Sequence, residues 1–193
     1  MIIKRMKWHY CYLSKEIIDT DELKSALEKE GGSIDSFRLV SVKEGEIVAD
    51  DSLLLPIFSF VAKQKASGNE VTVVISHAND GWTEMMLHSV APKYYPGQVS
   101  FISELILKQM SYGDFSSFAF LSALFRDLPE ELLETGKAYL AAGLDAKLAA
   151  DLLIVHRNTF NYRLNRFIEA SGVDIRDYHN AMLLDYYLRM RVK

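Results

Sequence analysis

The chain has 193 residues, 49% of them hydrophobic, enough to bury one good core or two small ones and too many for a disordered protein. A formal net charge of -4 excludes a protein whose whole surface coats nucleic acid, so any such contact must come from a local patch. The single cysteine, Cys11, excludes an intramolecular disulfide and a cysteine-rich metal site, and fits a reducing compartment.

Residues 1–15 carry Lys4, Arg5 and Lys7, and Lys7 and His9 break their apolar run before it reaches signal-peptide length. They read as a solvated tail, with a phosphate-contacting arm built on those cations, Trp8 and Tyr10 as the alternative. No stretch reaches the ~18 apolar residues of a membrane span, and the chain is read as cytoplasmic. Helical spacing of Ile17, Ile18, Leu23 and Leu27 predicts a helix over 14–30, stopped by Gly31 and Gly32. Short strands at 37–42 and 46–48 flank Lys43, Glu44 and Gly45, and a second helix over 52–66 ends at Ser67, Gly68 and Asn69. The β-branched run 71–75 predicts a buried strand. A polar turn over 77–81 and a short helix over 82–90 follow. Pro92 to Gly97 should interrupt regular structure before a last strand at 99–102.

From Ser103 onward the period is helical, with a break at Gly113 and Asp114. Leu128, Pro129, Glu130 and Glu131 open a strong helix, since proline is tolerated in the first turn and acids complement its dipole, and Gly143 is its expected end. The expected fold class is α+β: an N-terminal α/β unit over residues 1–111, then an all-helical helix-turn-helix domain over 112–193. No internal repeat or low-complexity linker separates them.

The functional signal lies in residues 146–168. Small Ala149 and Ala150 permit close helix approach, Leu153 and Val155 fill the turn, and Phe160 and Leu164 face inward from the next helix. At 100° per residue, Phe160, Leu164, Phe167 and Ile168 share one face. Asn158, Tyr162, Asn165 and Arg166 lie opposite, flanked by Arg157, Asn161 and Arg163. Residues 154–168 hold His156, Arg157, Arg163 and Arg166 with no acid, although residues 130–193 balance nine Lys/Arg against nine Asp/Glu. Asparagine suits adenine, arginine suits guanine or phosphate, and a tyrosine hydroxyl suits phosphate. An ordinary solvated helix is the alternative. Three asparagines within eight residues weigh against it, since asparagine is a poor helix former.

The string from Val155 to Arg166 resembles the V-H-R-N-T-x-x-Y-R-L-x-R signature of the C-terminal helix-turn-helix in PucR-like regulators. The flanks agree: residues 128–135 with Ala138, Tyr139 and Leu140 resemble the helix leading in, and Gly172 to Ile175 with Met182, Leu183 and Leu184 resemble the closing segment. The similarity covers about residues 112–190. It implies a bacterial-type, ligand-responsive transcription regulator, often dimeric, whose second helix reads the major groove of double-stranded DNA. On this reading the DNA-binding residues are His156, Arg157, Asn158, Thr159, Asn161, Tyr162, Arg163, Asn165 and Arg166. Where the family usually has a hydroxyl-bearing and a basic residue, this chain has Ala149 and Asn165, which implies weaker phosphate affinity. Residues 1–111 are either a remnant of the family's degenerate GGDEF-like middle domain or an unrelated α/β unit, and no G-G-D-E-F string supports cyclic-dinucleotide synthesis.

A helix-turn-helix this small binds weakly alone, so a homodimer on a roughly palindromic site is expected, under an unidentified small-molecule effector. The alternative is a ligand-sensing or protein-interaction module whose helix-turn-helix serves dimerisation alone. His77, Asp80 and His88 form the one cluster of acid/base character, but their spacing matches no standard metal site and the segment reads as a turn. Cys11 shows no activating neighbour in sequence. Phe115, Phe118, Phe120 and Phe125 read as core or dimer packing before pocket lining. No catalytic residue, metal or cofactor is assigned, and the protein is not expected to be an enzyme.

Overall fold

The computed structural model describes residues 7–191, and within them the fold class is α+β. The chain divides into two compact units, residues 1–112 and 113–193. In the first, β1 (Trp8–Ser14), β2 (Ile34–Ser41), β3 (Glu44–Ala49), β4 (Val71–Ser76) and β5 (Val99–Phe101) form one sheet in the order β2-β3-β1-β4-β5. All neighbouring strands are antiparallel except β4 and β5.

The centre of that sheet is β1, where a solvated tail was expected. Trp8, Tyr10 and Tyr12 alternate onto a core face shared with Ile47, Val73 and Ile75, and this face is covered by α1 (Thr20–Lys29) and α2 (Leu54–Ala66) through Leu23, Leu27, Ile57 and Phe60. Aromatic residues at every second position suit a pleated, buried surface better than solvent. Lys7 pairs with Asp35 at 2.5 Å, while Lys4 and Arg5 lie outside the described residues. Because Ser14 is still in the sheet, bonding through its N–H to Lys43 O at 2.8 Å, α1 starts later than its spacing suggested. Its start is set by Asp19, whose carboxylate accepts from the N–H groups of Asp21 and Glu22.

The opposite face of the sheet buries Cys11 and Val74. Against β1 and β4 packs a helical stretch of α3 (Gly81–Met85), a π-turn (Met86–Val90) and α4 (Ala91–Tyr94), joined by α5 (Ile102–Ser111) against β4. Pro92 does not end this stretch. A proline ring clashes with the carbonyl four residues back and donates no hydrogen bond, but here the preceding turn is wound wider, with Ala91 N–H reaching Met86 O. The edge strand β2 is bulged near both ends and almost wholly exposed.

The second unit is helical: α6 (Phe118–Phe125), α7 (Glu130–Ala141), α8 (Ala146–Leu152), α9 (Arg157–Ser171) and α10 (Tyr178–Met190). Its core is aromatic. The ring of Phe125 stacks on Phe167 at 6.0 Å and tilts against Tyr187 at 5.5 Å, and Tyr139 meets Phe160 at 5.8 Å. Phe120 and Phe125 are buried, Phe118 is half-buried against Tyr187, and Phe115 is exposed. Gly136 sits inside α7 because a Cβ there would lie 2.7 Å from Leu184 Cδ2 and 3.1 Å from Phe167 Cε2. No helix among the described residues is long and apolar enough to cross a membrane.

Candidate nucleic-acid interface

Both helices bounding the site begin on a side-chain cap. Asp145 accepts from Lys147 N–H at 2.8 Å and Leu148 N–H at 2.9 Å to start α8. Those backbone donors, first Leu148 and then Lys147, hold the Asp145 carboxyl below its ordinary range, with Arg157 adding to the effect. His156 caps α9, its Nδ1 accepting from Asn158 N–H at 3.2 Å. Only a neutral imidazole with Nδ1 unprotonated can do this.

Between the helices the chain turns through a Schellman motif. Val155 N–H bonds Ala150 O and Ile154 N–H bonds Asp151 O, both at 3.1 Å. The residue at the left-handed position is Ile154, with φ of +54°, where α7 uses Gly143 at +62° for the same purpose. A β-branched side chain is strained there. Ile154 is also 94% exposed, and Leu148 and Leu152 on α8 are about half exposed. Ala149 and Ala150 are buried, which lets α8 lie close to its neighbours, while Leu153 and Val155 are half-buried in the turn.

Phe160, Leu164 and Phe167 bury one face of α9. His156, Arg157, Asn158, Thr159, Asn161, Tyr162, Asn165 and Arg166 are exposed. Arg166 Nη1 donates to the Tyr162 hydroxyl at 3.1 Å, with its guanidinium carbon 6.0 Å from the ring centroid, so two of these side chains are held together one turn apart. Arg163 stands apart from the set. It is half-buried and its Nη2 meets Glu131 Oε1 of α7 at 2.5 Å. The structure therefore groups eight of the expected residues on one exposed surface of α9, with Glu169 the acid at its C-terminal end, and turns the ninth toward the neighbouring helix.

The model of the PucR C-terminal helix-turn-helix domain matches residues 132–190. That segment is a PucR C-terminal helix-turn-helix domain. The PucR domain thus runs from α7 to the end of α10 and leaves α6 outside the match. Two Bacillus subtilis (strain 168) proteins resemble it. The uncharacterized protein YxkF is 42% identical over 53 residues, 28% of this chain and 18% of that protein. The proline-responsive transcriptional activator PutR is 37% identical over 66 residues, 34% of this chain and 16% of PutR. The matched stretch is thus under a fifth of either relative. The crystal structure of a regulator of polyketide synthase expression from Bifidobacterium adolescentis aligns with TM-score 0.48 and 19% identity over 97% of this chain and 82% of that one.

The other sequence candidates fall in the first unit. Asp80 caps α3 through the N–H groups of Trp82 and Thr83, and His88 Nε2 meets Glu44 at 3.0 Å. His77 is half-buried, and desolvation of its ring lowers its pKa. Among the described residues no group of three or more His, Cys, Asp or Glu could hold a metal ion.

Proposed function

We propose that the chain is a cytoplasmic transcription regulator that binds double-stranded DNA, with α9 in the major groove and a small-molecule signal acting through residues 1–111. The observation carrying this is the surface of α9: eight exposed residues from His156 to Arg166, rich in amide and guanidinium groups and free of carboxylate, on a PucR helix-turn-helix domain. On this reading Asn158, Asn161 and Asn165 supply amide pairs suited to base edges. Arg157 and the joined Tyr162–Arg166 pair supply donors suited to phosphate, and His156 and Thr159 flank them. Arg163 contributes mainly by fixing α9 to α7. The similarity to PutR, a proline-responsive transcriptional activator, agrees with the reading.

Two copies, their α9 helices about 34 Å apart, would meet one face of the duplex, so the functional form is a homodimer. Selection from randomised duplex DNA tests this directly: the expected outcome is a two-fold-related pair of half-sites one helical turn apart, and Asn158→Ala should relax the preference at one position in each. Failure to enrich any sequence, by a folded protein, contradicts it. One observation favours a second reading, in which the domain serves only to pair proteins: the exposed apolar side chains of Leu148, Leu152 and Ile154. A stable dimer that enriches no DNA would be its signature.

A further inference from the structure

Beyond α9, the first unit holds a cavity of about 280 Å³ between the β2–β3 hairpin and α3, on the sheet face that carries Cys11. Its charged lining is one-sided: Arg38 against Glu44, Glu46, Asp80 and Glu84. Glu46 is only 8% exposed, and its two oxygens meet His9 Nδ1 at 2.5 Å and Arg38 Nε at 2.9 Å. Burial pushes its pKa up, but bonds from His9, Asn79 and Arg38 outweigh this and hold it below the usual carboxylate range. A buried negative charge is thus built into the floor. Glu44 is paired with His88 and Asp80 with the α3 cap, whereas the exposed Glu84 carboxylate has no hydrogen-bond or ion-pair partner among the described residues.

The rest of the lining is Asn79, Gly45 and Gly81 together with an apolar patch of Cys11, Val40 and Leu87. The Cys11 side chain is 4% exposed and makes no hydrogen bond among the described residues. Excess carboxylate in a concave space concentrates cations. A bare metal ion is a poorer occupant, because no three His, Cys, Asp or Glu side chains among the described residues are placed to hold one. Carboxylates spread around an apolar wall instead suit a cation with a carbon body.

We propose that this cavity binds a small organic ammonium ion, its alkyl body on Cys11, Val40 and Leu87 and its charge against Glu84 and Glu44. Such a site would give the proposed regulation its effector, but binding here does not require α9 to contact DNA. The test is calorimetric titration of the full chain with 1,4-diaminobutane, butane-1,4-diol and magnesium chloride, alongside Glu84→Gln. The diamine should bind and raise the Tm, and Glu84→Gln should weaken it about tenfold while leaving the unliganded Tm unchanged. The diol and Mg²⁺ should do neither. Absence of diamine binding, an equal response to the diol or Mg²⁺, or unchanged affinity in Glu84→Gln would overturn the proposal. Because DNA takes no part in the titration, either result stands apart from the fate of the DNA-binding reading.

Discussion

Arg157, Arg163 and Arg166 lie within ten residues of one helix, and their surroundings assign them different work. Arg157 and Arg166 stay on the exposed side, while Arg163 reaches Glu131. Removing Arg157 should therefore weaken DNA binding about equally for all sequences and lower the salt slope by about one, with no change in Tm. Arg163→Ala should reduce binding less and destabilise the fold by at most ~1 kcal/mol in a thermal melt, since Glu131 is well exposed. The polar face of α9 was legible from 100° steps along the sequence. The partner of Arg163 was not, because Glu131 belongs to another helix and helical period says nothing of tertiary neighbours. Cys11 is a second case: burial, then the charge of Glu46, push its thiol pKa up to about 12. It should stay protonated at pH 8 and react with iodoacetamide far more slowly than a free cysteine of ordinary pKa, as a timed mass-spectrometric assay would show.

At the scale of elements, caps and punctuators were the readable part. The glycine pair after α1, the β-branched run of β4 and the turn before α9 all fall where local chemistry places them. The strand β1 was missed because Lys7 and His9 interrupt its hydrophobicity, although its aromatics alternate. Pro92 misled because the π-turn that accommodates it has no clear signature in sequence. Two substitutions test what the elements are built for. Ile154→Gly removes strain at the left-handed position and should stabilise the domain by about 1 kcal/mol, raising its Tm by ~4–8 °C. Gly136→Ala favours the α7 helix by up to about 1 kcal/mol, but forces a methyl group toward Leu184 and Phe167, and overpacking of ~1–3 kcal/mol should win, lowering the Tm.

For the whole molecule, the two units present different surfaces: a helix face rich in amide and guanidinium groups in one, and a carboxylate-rich cavity in the other. Net charge hides this, since -4 is the sum over both. The cavity could not be read in advance because its lining comes from three strands, a loop and the helical stretch behind it, brought together only by the sheet order. The proposed work of α9 is binding duplex DNA. Its most direct test is fluorescence anisotropy of the full chain against a randomised duplex over a salt series, with a folded Arg157→Ala/Asn158→Ala double variant alongside. Affinity should fall with salt by a slope of roughly −0.9 for each phosphate neutralised, and the double variant should lose binding. A folded wild-type protein that leaves the duplex unbound at low salt, or a double variant that binds as well as wild type, would contradict it.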